Sequence, residues 1–405
     1  MKSGHLSQYF QGVVAKRLSA VEANRKRSHQ HEFNGVQALK ALFGIAAGSR
    51  KFPAKFLYLG EDEDNSATAD GTVTWYDARE HHVTRTEHRL YFPTTPVSEL
   101  AAEGDLLLIG QRPDGEVLVL IAKAKGTVEN QVLWLFNLEL AENNMFVGRK
   151  VSDSDDRPVD FAAELILEGL GIEPEAEENL ASVAIQKFPE GFPATRVFSA
   201  FARETLKNVS AKDDPDAVLV AWMDQEEKLF RGLERHIVAA RIRTGFGSDV
   251  DSFISFSLSL QNRRKSRAGF ALENHLERIF QERKLPYDRG AMTEGRSTPD
   301  FLFPGKKEYH DKNFPTDRLS MLGAKSTCKE RWRQVLAEAN RIKKKHLLTL
   351  EPGISIAQTS EMKENHLQLV VPKGLHDTYT SPQQSWLMNL REFIVMVEKK
   401  QRPAV

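Results

Sequence analysis

Residues 298–350, TPDFLFPGKKEYHDKNFPTDRLSMLGAKSTCKERWRQVLAEANRIKKKHLLTL, alternate short apolar runs with turn signals around one helix-like stretch. The runs FLFP (301–304), RLSMLGAKS (318–326) and HLLTL (346–350) are short and bounded by Gly, Pro, Asp and Lys, and so read as strands. ERWRQVLAEANRIKKK (330–345), between the second and third, is rich in helix formers and predicts a helix. A further strand-like run, LQLVVP (367–372), follows. Upstream, residues 197–209, 216–242, 249–264 and 267–284 read as helices. In the last of these, Leu272, Leu276, Ile279 and Phe280 recur at helical spacing and form one apolar face. Helices flanking a small mixed sheet make an α/β domain.

The first 150 residues differ in kind. KFLYLG (55–60), GTVTWYD (71–77), HRLYFP (88–93), GDLLLIG (104–110), GEVLVLIAKA (115–124) and QVLWLFNLEL (131–140) read as short strands of an all-β barrel or sandwich. Arg112-Pro113-Asp114-Gly115 between two apolar runs marks the clearest hairpin, and its strands look central. An acidic stretch between Asp153 and Glu178 holds one amphipathic segment, FAAELILEGLG, and Pro-Gly punctuation follows at FPEGFP. The domain boundary is expected near residue 182, giving domains at 1–182 and 183–405. A chain of 405 residues exceeds what one core normally serves.

The 40% hydrophobic and 28% charged composition is that of an ordinary globular protein. No apolar run is long enough to span a bilayer, and the N-terminus lacks a signal-peptide layout, so a cytoplasmic protein is expected. The single cysteine, Cys328, excludes an internal disulfide framework and a zinc site made of thiolates. Fifty-six basic residues offset 56 acidic ones, but the basic ones cluster at 16–27, 262–267 and 329–346. Such clusters are more often solvated faces than binding surfaces.

Cleaving a phosphodiester calls for a metal, carboxylates to hold it, and usually a lysine near the attacking water. Residues 298–350 offer all of these: Asp300 before the first strand, Lys325 at the end of the second, and Glu338 on the expected helix. The set resembles the PD-(D/E)xK nuclease site with one departure. The acid usually found two residues before the lysine is Gly323, so Glu338 must supply the displaced carboxylate. A Pro-Asp turn and a solvated edge lysine are the plainer readings of these residues.

The longer runs NRRKSRAGFALENHLERIF, TEGRSTPDFLFPGKKEYHD, the stretch 314–358 and LQLVVPKGLH resemble the catalytic domain of EcoRII-type restriction endonucleases over about residues 210–375. The resemblance implies a restriction-endonuclease-like α/β domain with a central mixed sheet, Mg2+ as cofactor, and a catalytic set of Asp300, Lys325 and Glu338. Tyr309 matches a tyrosine near the family's site, and a structural tyrosine packed under the sheet is an equal reading. Glu273 answers either to a carboxylate holding metal through water or to a surface residue. Lys329, Glu330 and Arg331, continuing into Arg333, match a triplet that reads C·G pairs, implying a CC…GG palindrome. Arginine and lysine suit guanine O6 and N7, and glutamate accepts from cytosine N4; the plainer reading is a charged helix start. Palindromy in turn implies a homodimer on double-stranded DNA, and a restriction enzyme implies a cytosine methyltransferase protecting the same site.

Relatives that flip central bases use an arginine and an aromatic residue one turn apart, a pair that falls here on Met223 and Glu227. Trp222 is the available substitute. AKRLSAVEANRKRSHQHEF (15–33) and TRTEHRLYFPTTP (84–96) resemble the effector domain of EcoRII, a plant B-three-like pseudobarrel. By that likeness Arg17 lies on one DNA-gripping arm and Arg85, Glu87 and Arg89 on the other; the polar face of an edge strand is the alternative. Two further functions stay open from residues alone: a non-cutting DNA-binding regulator on the same scaffold, and a repair nuclease directed by DNA structure.

Overall fold

The computed structural model describes residues 4–23, 32–45, 48–61, 65–151, 158–174, 178–207, 209–328 and 331–402. The chain forms two compact units, Met1–Glu173 with Pro352–Gln358, and Pro174–Glu351 with Thr359–Val405. Residue 182, the expected boundary, lies inside a helix, Glu178–Lys187.

In the first unit, strands β1 (Gly12–Arg17), β2 (Glu32–Asn34), β3 (Arg50–Leu59), β4 (Ser66–Asp77), β5 (His88–Tyr91), β6 (Leu106–Gln111), β7 (Val117–Ala122) and β8 (Val147–Lys150) form a curled mixed sheet ordered β2-β5-β4-β3-β7-β6-β1-β8. β3 and β7 run parallel; the other pairs are antiparallel. Successive side chains point to opposite faces of a strand. Hence β7, apolar at every position, contributes Leu118 and Leu120 to one core and Val117, Val119 and Ile121 to another. The expected hairpin joins β6 to β7: Gly115 has φ +88°, and Asp114 Oδ1 accepts from Glu116 N at 3.0 Å. Its strands are interior to the sheet, as expected.

QVLWLFNLEL does not form a strand. It lies mostly in a helix, Thr127–Phe136, closed by Asn137 in the left-handed region. Its buried residues are Thr127, Glu129, Val132, Leu135 and Phe136, and from Glu129 onward they recur at the three-and-four spacing of a helix. The signal was present in the sequence, masked by the high apolar content.

In the second unit a five-stranded sheet has the order β13-β12-β11-β10-β9, with β9 (Asp288–Arg289), β10 (Phe301–Phe303), β11 (Ser320–Lys325), β12 (Lys345–Thr349) and β13 (Leu367–Val370). β9, β10 and β11 pair antiparallel, whereas β11, β12 and β13 are parallel. Parallel neighbours need crossover connections. The first carries a helix, Trp332–Leu336, and the second carries Ile356–Glu364.

Two long helices, Pro215–Thr244 and Val250–Glu282, belong to the same unit; the second is continuous through both segments that the sequence separated. Asp214 caps the first by accepting from Ala217 N at 3.2 Å, Pro215 fills its opening turn, and Asp216 accepts from the amides of Lys373, Leu390 and Arg391. Leu272, Leu276, Ile279 and Phe280 are fully buried, and Phe280 meets Phe301 and Phe303 edge-on at 5.1 and 5.3 Å. The helix therefore packs on the sheet strand that begins one residue after Asp300. Among the described residues, no helix is long and apolar enough to cross a membrane.

Candidate active site

Register fixes the first contact. β10 pairs Phe301 with Leu322, so Asp300 comes beside Gly323 on the neighbouring strand. Asp300 Oδ2 accepts from Ala324 N at 2.7 Å and from Lys325 Nζ at 3.0 Å. Both side chains keep a fraction of their surface exposed, 16% for Asp300 and 23% for Lys325. A charge-assisted pair of this geometry holds the ammonium group in one position at the strand end.

Glu338 reaches the same place by a route that differs from the expectation. The helix after β11 spans only Trp332–Leu336, and Glu338 lies on the bend behind it, followed by Ala339 at φ +48°. Helix propensity would carry the chain onward, but tertiary contacts override it. Ala339 and Ile342 bury their side chains, while Arg341 donates to the carbonyls of Tyr309, Asp311 and Phe314. Those anchors turn the chain after one and a half turns of helix.

Gly323 explains why the acid is displaced. A Cβ at this position would meet the two methyl groups of Val335 at 3.1 and 3.3 Å, so the helix seats directly on the bare strand. A carboxylate side chain has no room there. The close approach that excludes it also brings the following bend, with Glu338, over the end of β11.

The electrostatics favour a cation between these carboxylates. Burial, then the charge of Asp300, push the Glu338 carboxyl up to about 7, while Lys325 and Lys345 hold it down. Glu338 Oε2 is buried with no hydrogen-bond partner, and such a group costs desolvation that nothing returns. Among the described residues no group of three or more His, Cys, Asp or Glu side chains gathers as a metal cage. Two carboxylates suit Mg2+, which keeps several waters and takes one or two protein carboxylates. The donor set therefore fits that ion.

Glu273 faces the site from the helix Val250–Glu282; its carboxyl is raised by burial and by Asp300. It is also held by Arg289, at 2.8 and 3.2 Å. Tyr309 is buried, donates its hydroxyl to Glu294 at 2.5 Å and accepts from Arg341 N at 3.3 Å; burial and Glu294 push it up to about 12. Those bonds tie it to the bend that carries Glu338. Arg289, Glu294 and Lys345 were not singled out in the sequence. Arg289 stands in a two-residue strand with no periodicity to mark it, and Lys345 is the buried member of a lysine run.

Of the expected reading residues, Lys329 and Glu330 lie outside the described residues. Arg331 is exposed and donates to Thr327. Arg333 pairs with Glu361 at 2.9 Å and stacks over Trp332. Glu227 accepts from Arg231 and Arg267, and Met223 is buried. Trp222 is buried too, beside His275 and beneath Arg203, so it is not placed to stack on an extruded base. In the first unit Arg17 bonds Glu129 and the Gly104 carbonyl. Glu87 and Arg89 pair with each other at 2.6 Å, Arg89 also with Glu32, and Arg85 is exposed.

A mixed sheet presents an acid–lysine pair, with a second carboxylate delivered from a crossover, and the comparisons with known proteins place the chain that carries them in a family. The family described as "EcoRII C terminal" matches residues 230–394. The "Type II restriction enzyme EcoRII" of Escherichia coli is 34% identical over 398 residues, covering 95% of this chain and 93% of that one. The chain belongs to the EcoRII-type restriction enzyme family. Among solved structures, "Metal-depleted Ecl18kI in complex with uncleaved, modified DNA" is similar at a TM-score of 0.44 and 18% identity, covering 57% of this chain and 88% of that one. "Restriction endonuclease PspGI-substrate DNA complex" is similar at 0.39 and 13%, covering 56% and 94%. The family assignment rests on the sequence relation.

Proposed function

We propose that this chain is a type II, site-specific endonuclease that hydrolyses phosphodiester bonds of double-stranded DNA, with Asp300, Lys325 and Glu338 as its cutting set. The observation that carries the reading is the convergence of an ion-paired Asp300–Lys325 with the buried, unpartnered Glu338 oxygen. It is supported by a relation to a restriction enzyme along nearly the whole chain.

Mg2+, held between Asp300 and Glu338, would supply charge neutralisation at the phosphoryl oxygens and a more acidic water. Lys325, fixed by Asp300, stands to hold a phosphate oxygen or orient the attacking water. Glu273, kept in place by Arg289, adds negative charge behind the site and reaches the ion through water. Tyr309 acts as a positioning residue for the Glu338 bend through Glu294 and Arg341. Arg331 and Arg333, with Lys329 and Glu330, are assigned to reading C·G pairs of a CC…GG palindrome, which carries the proposal of a homodimer.

The sheet of the first unit is read as the B-three-like pseudobarrel. Its Arg17, Arg85, Glu87 and Arg89 are assigned to gripping a second DNA copy that activates cleavage. A cytoplasmic bacterial setting and a protecting cytosine methyltransferase belong to the same reading. Digestion of a long sequenced DNA with purified protein and Mg2+, followed by sequencing of the ends, tests it. Discrete ends sharing one short palindrome are expected. Intact DNA, or ends without a common sequence, would contradict it.

A further inference from the structure

A second basic feature lies away from the cutting set. Lys343, Lys344, Lys363 and His366 line an open cleft of about 500 Å³, together with Gln368 and Trp386. The three lysines and His366 are exposed, and Trp386 is half-buried. No acid lines the cleft. Of the two acids on the neighbouring helix Ile356–Glu364, Glu361 is taken up by Arg333, and Glu364 is exposed but does not line the cleft. Lys400 lies outside the lining: Asp317 acts on it more strongly than Lys344 does, and its ammonium donates to the Leu319 carbonyl and Ser320 Oγ. In a chain whose charges balance, such a local excess stands out.

Ordinary structural duties account for little of it. Lys363 sits in the last turn of its helix, where a cation complements the helix end. Lys343 and Lys344 precede β12 and need not both be cationic to continue into a strand. Gln368 holds the Trp386 carbonyl at 2.8 Å, which fixes the aromatic wall against the edge strand β13. A concave surface with several lysines and a fixed indole suits a phosphodiester chain, whose phosphates take the ammonium groups while the ring packs on sugar or base.

Position gives the cleft its partner. Lys325 pairs with Thr349 at the far end of β12, whereas Lys343 and Lys344 lie just before its first residue, Lys345. Strand rise puts about 13 Å between the two ends. That is the length of about four base pairs at roughly 3.4 Å per step.

We propose that this cleft binds the phosphate backbone of DNA flanking the cleaved site, so that duplex extending beyond the target adds affinity without touching the bases that are read. The proposal rests on the nuclease reading above. Contacts of this kind are sequence-independent and release counterions, so they appear in the salt dependence of binding.

The test is a triple variant, Lys343→Gln, Lys344→Gln and Lys363→Gln. Its DNA affinity is measured against salt concentration on a short duplex trimmed to the target and on one extended by about 15 base pairs on each side. The control is Arg235→Gln with Arg243→Gln, both exposed on the helix Pro215–Thr244. On the long duplex, which a homodimer grips through two clefts, the triple variant should lose about 5 units of slope in log K against log salt, close to 0.9 for each lysine removed. On the short duplex its affinity and its cleavage rate should stay within twofold of the parent. An unchanged slope on the long duplex would overturn the proposal. So would an equal loss on both duplexes, or the same loss in the control. If the parent protein cleaves neither duplex, the nuclease reading fails while the slopes still judge the cleft.

Discussion

At Glu338 a single carboxylate carries an energetic contradiction that a cation would resolve. Its folded pKa, about 7, lies above the unfolded value of 4.5. The native state therefore binds more protons than the unfolded chain between these values, and stability falls as pH rises through that window. In chelator, the melting temperature should drop between about pH 5 and 7.5 more steeply for the parent than for Glu338→Gln, which cannot ionise. Mg2+ at pH 7.5 should raise the parent's melting temperature and leave the variant's unmoved, since only a native state with the site intact binds the ion. Parallel pH profiles would remove Glu338 from the account. Cys328 makes a simpler case. Burial, then Glu351, push its thiol far up, so a thiol reagent should label it only on unfolding; rapid native labelling would show the strand end to be open.

Among elements, the seating of the helix Trp332–Leu336 on β11 decides where Glu338 falls. Gly323→Ala places a methyl against Val335 and should cost about 1–3 kcal/mol, with slower cleavage as the bend shifts. Val335→Ala in the same chain should recover part of the cleavage rate, a coupling that double-mutant analysis measures directly. An additive pair would mean that the two residues do not act through one contact. Restoring the usual acid, Gly323→Asp with Glu338→Ala, should stay inactive because the side chain has no space.

The same region shows what the sequence disclosed. β10 to β13 were legible because each is a short apolar run between breakers, and the face of Leu272, Leu276, Ile279 and Phe280 by its spacing. The early end of the Trp332–Leu336 helix was not. Ala-Glu-Ala-Asn favours continuation, and the forces that stop it come from Tyr309, Asp311 and Phe314, distant in sequence. Thr127–Phe136 was misread because its apolar residues outnumber those its buried face needs. Asp300, Lys325 and Glu338 were nameable beforehand through a family resemblance, whereas Arg289 and Lys345 matter only through contacts that folding creates.

At the scale of the whole molecule, balanced net charge is compatible with a polyanionic partner because opposite charges are segregated or paired. Arg79 and Arg89 balance Glu32 and Glu87, and Arg196 and Arg289 balance Glu273 and Glu277, whereas the lysines before β12 line a cleft without acids. The central claim is that one carboxylate from a crossover bend completes a metal-dependent cutting site with a strand-borne aspartate and lysine. Single-turnover cleavage of a target duplex by Glu338→Ala, beside its binding affinity measured in chelator, tests this most directly. Cleavage should fall by at least about 100-fold, the scale of losing one member of a catalytic set, with affinity held within threefold. Cleavage at the parent rate by a folded variant would contradict the claim.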